Sequence, residues 1–507
     1  MTGNTTPKRA GRREWIGLAV IALPCVLYSM DLTVLNLAVP SLSAQLQPSS
    51  AELLWIVDIY GFLVAGSLIT MGTLGDRIGR RRLLLIGAAV FGLASALAAF
   101  STTSAMLIAT RALMGVAAAT LAPSTLSLIR NMFHDPAQRT VAISVWIMSY
   151  SAGAAIGPVI GGILLENYWW GSVFLINVPV MVLLLTIAPA LLPEFRDPQA
   201  GRLDVRSAAQ SLAAILAVIY GLKRIAEGSA DTFALGAILA GLAIGAAFLR
   251  RQSRLADPLI DLRLFRAPAF SAALIVNLVG FMSAFATFLF IAQYLQSVLG
   301  LSPLHAGLWG LPSAIAFIAG SMLTPAIVRG HSPARVIAGG MLVSAAGFVI
   351  LSQVGAADSP LAALVVGQIV FSVGLTPVVV LTTDIVLSAA PPERAGSASA
   401  LSETSAELGG ALGIALMGSI VTAIYRSSFG ATSATIPAAA YEIARGTIGG
   451  AVSIAGRLPE GPAVELLAMA RVAFVQAFGT TAWISAIIAV AVALLATAML
   501  RGDGTAR

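Results

Sequence analysis

Long apolar stretches alternate with short Arg- and Gly-rich clusters along almost the whole chain. The stretches fall near residues 15–39, 53–74, 83–100, 105–129, 140–165, 172–192, 208–224, 232–249, 270–295, 305–328, 334–353, 360–383, 402–425 and 473–500. A run of roughly 20 apolar residues crosses a bilayer as a helix, which satisfies its own backbone hydrogen bonds in lipid. The pattern therefore predicts an all-α polytopic membrane protein with fourteen transmembrane helices. An even number of crossings returns both termini to the same side.

Composition agrees with a lipid environment. Hydrophobic residues make up 58% of the 507 and charged residues only 10%, against about 25% charged in soluble domains. Residues 1–13 form a polar tail carrying Lys8, Arg9, Arg12 and Arg13. The apolar run that follows is too long for a signal-peptide core and closes without a small-residue cleavage pattern, so it reads as a retained first helix. With this tail in the cytoplasm, most of the 30 Lys and Arg fall in cytoplasmic segments, as the positive-inside rule requires. The net charge of +7 then belongs to membrane-facing loops, and nucleic-acid binding is excluded for want of a basic face elsewhere. Only Lys8 and Lys223 are lysine among the basic residues, a hint of a GC-rich bacterial genome. The expected location is the bacterial inner membrane, multi-pass, with both termini cytoplasmic. The single cysteine, Cys25, precludes an intrachain disulfide.

An internal echo divides the chain. Gly153-x3-Gly157-x4-Gly162 matches Gly409-x3-Gly413-x4-Gly418, each placed after a loop arginine, Arg139 and Arg394. Such repetition suggests two six-helix bundles related by a pseudo-twofold axis. The expected organisation is a tail at 1–13, bundles at 14–193 and 270–500, a linker at 194–269 with two inserted helices, and a tail at 501–507. Gly449-Gly450 and Pro459-Glu460-Gly461-Pro462 act as breakers. They predict a long outer loop over 425–471 with short amphipathic pieces near 437–447 and 463–472.

Acids inside apolar runs carry the candidate chemistry. Asp31 lies in the first run and Asp58 in the second, flanked by Trp55 and Tyr60. An intramembrane acid is expensive and marks an ion or substrate path, and aromatic rings favour cationic ligands. For Trp55 an interfacial aromatic belt is an equal reading. Glu403 and Glu407, four apart on one helix face, make a proton-accepting pair. Glu403 also fits a surface acid at the helix end. Arg111, in the fourth run, needs a partner or water, and a structural ion pair is its plain alternative. Asp384 reads as structural.

Between the second and third runs stands Gly72-Thr73-Leu74-Gly75-Asp76-Arg77-Ile78-Gly79-Arg80-Arg81-Arg82. Its glycines permit a tight turn and close helix approach, and Asp76 can accept hydrogen bonds at a helix N-terminus. This segment resembles the G-x-L-x-D-R-x-G-R-R motif of the major facilitator superfamily. The resemblance implies that Gly72, Asp76, Arg77, Gly79, Arg80 and Arg81 latch the outward-facing state. Residues 30–40, Met30-Asp31-Leu32-Thr33-Val34-Leu35-Asn36-Leu37-Ala38-Val39-Pro40, resemble a motif of its fourteen-helix drug:proton antiporters. Arg111-Ala112-Leu113-Met114-Gly115 is similar to the R-x-x-x-G motif tied to proton transfer. Gly153-x3-Gly157-Pro158-x2-Gly161-Gly162 is similar to the antiporter motif, which implies export. Trp170 to Pro179 resembles a further family segment but has Gly171 and Ser172 where Arg and Trp are usual.

Asp58 is similar to an acid of the quaternary ammonium and methyl viologen exporters. The resemblance therefore implies a monomeric secondary transporter exchanging protons for lipophilic cationic drugs, dyes and biocides, in contact with membrane lipids. The alternative is a dedicated exporter of one natural product or lipid. Tyr28, Tyr60, Trp55, Phe285 and Trp309 are candidate substrate aromatics. Neither lysine sits in a phosphate-loop context, and His134, His305 and His331 are scattered, so no cofactor, no metal and no enzymatic constellation is expected.

Overall fold

The computed structural model describes residues 9–48, 50–196, 204–226, 231–255, 258–356, 359–430 and 435–500. Fourteen described helices are long and apolar enough to cross a membrane. In chain order they are α1 (Arg12–Leu46), α2 (Ser50–Ile78), α3 (Arg80–Ala99), α4 (Ser104–Met132), α5 (Pro136–Asn167), α6 (Asn177–Leu191, which completes the sixth span, Ser172–Leu191, together with a short turn of helix at Ser172–Leu175) and α7 (Val205–Ala226). They continue with α8 (Thr232–Gln252), α9 (Pro268–Gln293), α10 (Pro303–Val328), α11 (Pro333–Ser352), α12 (Pro360–Ala389), α13 (Ala395–Ser428) and α14 (Glu460–Met499). The described residues contain no strand.

Helix starts follow local chemistry. Thr103, Asp135, Asp231 and Ser302 cap α4, α5, α8 and α10 with side-chain oxygens that accept from first-turn N–H groups. Proline opens α5, α9, α10, α11 and α12, where its missing N–H costs nothing. Asp231 also accepts from Arg224 at 2.6 Å. That bond and the N–H of Ala234 hold its carboxyl down at about 2.

Two sets of helices pack in the same way. In the first, α1 packs on α5, α2 and α3 on α4, and α3 on α6. In the second, α9 packs on α13, α10 and α11 on α12, and α11 on α14. The echoing glycines lie at equivalent crossings. A Cβ on Gly153 would stand 2.2 Å from the Val26 carbonyl oxygen of α1, and one on Gly409 would stand 2.3 Å from that of Leu278 on α9. Each glycine admits a backbone where no side chain fits. The sets meet through α2 with α13 and α5 with α10, while α7 lies against both α2 and α13 and pairs with α8.

The 425–471 segment departs from expectation. α13 continues to Ser428, and α14 starts at Glu460. The piece near 463–472 is thus the opening of a 40-residue helix. Pro459 and Pro462 do not break it, because first-turn N–H groups have no helical partner to lose. Two short helices, Ala438–Gly446 and Ile448–Ala455, fill the remaining connection. The Tyr425 hydroxyl ties the first to α13 by donating to the Ala444 carbonyl at 2.8 Å. α2 likewise begins at Ser50, three residues before the apolar run, so Trp55 stands inside its first two turns.

Candidate functional site: a cavity between the two helix sets

A cavity of about 610 Å³ lies between the two sets. Its walls come from α1 (Tyr28), α5 (Trp146, Tyr150), α9 (Phe281, Phe285, Phe288), α10, α12 and α13. It extends along α5 to Val159 and along α10 to Gly307, and is floored near Thr383, Asn277 and Glu403. The walls are mostly apolar and aromatic, and among the described residues the only acids on them are Glu403 and Glu407. These two lie one helical turn apart on α13. The Tyr28 hydroxyl donates to Glu407 Oε1 at 3.0 Å, joining α1 to α13. The amide of Asn277 donates to the Ser402 carbonyl at 3.2 Å, while its own oxygen has no partner among the described residues.

Asp31 does not line the cavity. It lies buried behind Tyr28, where the Arg111 guanidinium bonds its carboxylate at 2.6 Å. Asn177 donates to its second oxygen at 3.4 Å. Arg111 also donates to the Ile56 carbonyl at 3.2 Å and stands 4.6 Å from the Tyr60 ring centroid. A buried charge pair of this kind needs such added bonds to offset desolvation.

Below the floor the two sets are clasped. Asp76 accepts from the N–H groups of Gly396 and Ser397, both at 3.0 Å, at the start of α13. A carboxylate there also meets the positive end of the helix dipole. Arg80 donates to Asp76 at 2.9 Å and to the Pro392 and Glu393 carbonyls at 2.6 and 3.0 Å. A Cβ on Gly72 would stand 2.4 Å from the Gly396 carbonyl oxygen. Gly79 adopts φ +110°, a conformation that favours glycine. Arg81 donates to the Pro189 and Leu192 carbonyls, and Glu194 accepts from the Arg81 and Arg82 N–H groups. Arg77 is half-buried beside them. A second clasp joins α5 to α12, where Arg139 bonds Asp384 at 2.9 Å and Thr140 donates to the same carboxylate at 3.0 Å.

The sequence profile of the Major Facilitator Superfamily matches residues 21–414. The chain belongs to that superfamily. As a superfamily member it is a multi-pass membrane transporter. It is 40% identical to the multidrug efflux pump LfrA of Mycolicibacterium smegmatis, with 97% of each chain covered. It is 37% identical to the methyl viologen resistance protein SmvA of Salmonella typhimurium, over 91% of this chain and 93% of that one. The human organic anion transporter MFSD10 shares the fold, with a TM-score of 0.61 at 15% identity, over 94% of this chain and 99% of that one.

The site residues expected from the sequence are distributed over separate places. Glu403, Glu407, Tyr28 and Phe285 meet at the cavity. Asp31, Arg111 and the fully buried Tyr60 form the pair site behind it. Asp58 is half-buried on α2 and does not line the cavity. Trp55 and Trp309 are turned outward, 42% and 39% exposed, and do not line it either. In the antiporter motif Gly153 packs on α1, Gly157 and Gly161 are buried, and Gly162 meets nothing within 4 Å. The side chain of Pro158 lies outside the described residues. Gly171, where a family Arg is usual, has no room for one: a Cβ would stand 2.1 Å from the Ala99 carbonyl oxygen.

Sequence reasoning missed Trp146, Tyr150, Asn277 and Phe317 as cavity residues, Glu194 as a helix cap, and the Arg139–Asp384 clasp. The spacing of Trp146 and Tyr150, one turn apart and directly before the glycine motif, was the available signal for the first two.

Proposed function

We propose that this transporter exports lipophilic cations, including drugs, dyes and quaternary ammonium biocides, in exchange for protons by alternating access. The observation that carries the reading is the pair of carboxylates, Glu403 and Glu407, set among aromatic side chains in a mostly apolar cavity. Apolar and aromatic walls take the body of a lipophilic cation, and carboxylates answer its charge. The same carboxylates accept protons once the cation has left, so the two ligands exclude each other at one place. The resemblance to proteins named multidrug efflux pump and methyl viologen resistance protein supports the cargo class.

In this reading the clasped end faces the cytoplasm of a bacterial cell, with both termini on that side. The cavity then opens outward, ready to release cargo and take up protons. The Asp31–Arg111 pair serves as a second proton site, since protonating Asp31 frees Arg111 and loosens the first helix set. One pH unit supplies about 1.4 kcal/mol per proton, and 100 mV supplies about 2.3 kcal/mol per net charge moved. Exchange of one proton for one monovalent cation uses the first source only. A second proton, which several acids permit, opens the second.

The test is ethidium movement in proteoliposomes of purified protein under an imposed pH jump, with the mutants Asp31→Asn and Glu407→Gln beside it. Ethidium movement that depends on the gradient and is lost in both mutants supports the reading. Movement of neutral drugs alone, or full ethidium flux in Asp31→Asn, defeats it.

A further inference from the structure

Tyr28 bonds one acid centre directly and reaches the other through a neighbouring ring. It stands one helical turn before Asp31 on α1, and its hydroxyl donates to Glu407 at 3.0 Å across the gap between the helix sets. Its ring lies 6.1 Å from that of Tyr60 and 5.5 Å from that of Tyr150. The Tyr60 ring in turn supports the Arg111 guanidinium at 4.6 Å, and the buried Tyr60 hydroxyl has no partner among the described residues. Packed rings thus run without interruption from Glu407 to the Asp31–Arg111 pair. The ionisable groups around the Tyr28 hydroxyl are Glu403 and Glu407 on α13, Tyr60 on α2 and Tyr150 on α5. Asp31 and Arg111 stand behind Tyr60.

We propose that Tyr28 is a positioning residue that ties the Asp31–Arg111 pair to the cargo cavity: its hydroxyl holds Glu407 until an entering cation displaces it. A carboxylate oxygen engaged by a phenol is less available to a cation, so cargo and hydroxyl compete. Displacement breaks this side-chain hydrogen bond between α1 and α13. It also frees the Tyr28 ring to move against Tyr60, and Tyr60 carries the change to Arg111. Proton exchange at Asp31 is thereby made to depend on cargo at Glu407. This rests on the function proposed above, and adds to it the residue that makes the two sites answer each other.

The experiment measures ethidium binding to detergent-purified protein, and ethidium and proton flux in proteoliposomes. Tyr28→Phe keeps the ring and removes the donor. It is expected to bind ethidium about tenfold more tightly, the scale of a hydrogen bond to a charged group. Its maximal exchange rate is expected to fall, and protons are expected to leak without ethidium. Tyr60→Leu, which leaves the Tyr28–Glu407 bond in place, is expected to show the leak without the gain in affinity. In a Glu407→Gln background, Tyr28→Phe is expected to change affinity by less than about twofold, the size of ordinary additivity error. Such a cycle is the direct measure of coupling through a contact network. A Tyr28→Phe protein with unchanged affinity and no leak overturns the proposal, as does full additivity with Glu407→Gln. If the unmutated protein shows no gradient-driven exchange, the proposed function fails instead, and the binding cycle still decides whether Tyr28 competes for Glu407.

Discussion

Arg111 and Asp31 are bonded at 2.6 Å with side chains only 1% and 3% exposed. They belong to one helix set, so the bond holds α1 to α4 and does not cross the cavity. Taking either partner away leaves the other charge buried without its partner. Breaking a buried pair in this way costs about 3–5 kcal/mol, whereas replacing both partners by apolar groups is often neutral. Arg111→Leu is therefore expected to lower the unfolding temperature of the detergent-solubilised protein sharply. The double mutant Arg111→Leu with Asp31→Leu should recover most of that loss while remaining inactive. A double mutant as unstable as the single would mean that the pair contributes mainly through packing.

The same pair shows what the sequence could and could not reveal. Asp31 and Arg111 were both legible as costly intramembrane charges, because their neighbours in the chain are apolar. Their bond to each other was not, since they lie on different helices and a structural partner for Arg111 was only one of its readings. Glu403 and Glu407 were legible as a pair because helical periodicity alone puts them on one face. Trp309 failed for the opposite reason: Leu308 and Gly310 line the cavity, and a rotation of one residue along the helix turns the ring away. The helix ends at 428 and 460 were obscured because glycine and proline mark both loops and helix starts.

The glycine echo makes a paired prediction. Gly153 and Gly409 face carbonyl oxygens at 2.2 and 2.3 Å from any added Cβ, on α1 and α9 respectively, while Gly162 and Gly418 meet nothing within 4 Å. Gly153→Ala and Gly409→Ala are each expected to destabilise by about 1–3 kcal/mol through overpacking. Gly162→Ala and Gly418→Ala should be neutral or slightly stabilising, since alanine is the better helix former. Thermal unfolding of the four purified mutants checks this. Equal behaviour of all four would deny that the echo records equivalent helix crossings.

Gly79 and Gly330 occupy corresponding turns, after α2 and after α10, yet differ in what they tolerate. Gly79 has φ +110°, and a Cβ there would lie 2.5 Å from a Glu194 carboxylate oxygen; Gly330 has nothing within 4 Å. An alanine forced into such a conformation costs about 1–3 kcal/mol. It would also push Glu194 off the N–H groups of Arg81 and Arg82. Gly79→Ala is expected to abolish most dye efflux from cells at matched protein abundance, and Gly330→Ala to leave efflux near normal. Glu194→Ala, which loses the helix cap at about 1 kcal/mol and the ion pair with Arg81 at 3.6 Å, should fall between them. Efflux in Gly79→Ala equal to that of Gly330→Ala would show that this turn does not set the clasp.

The two clasps below the cavity differ in kind, and that difference is measurable. Asp76 binds backbone N–H groups of Gly396 and Ser397, whereas Asp384 binds the side chains of Arg139 and Thr140. The Arg139–Asp384 bond is the more exposed, with side chains 9% and 17% accessible. It is thus the one water can replace as the end opens. Asp384→Asn keeps the volume and removes the charge, so it is expected to shift the protein toward conformations open at this end without unfolding it. Spin labels on exposed His134 and Ala389 report the separation directly. The mutant should add a longer-distance population to that of the unmutated protein. Asp76→Asn, which weakens a carboxylate held by a helix N-terminus and by Arg80, should enlarge that population further. Distance distributions that stay superimposable in Asp384→Asn would assign the closing of this end to Asp76 alone.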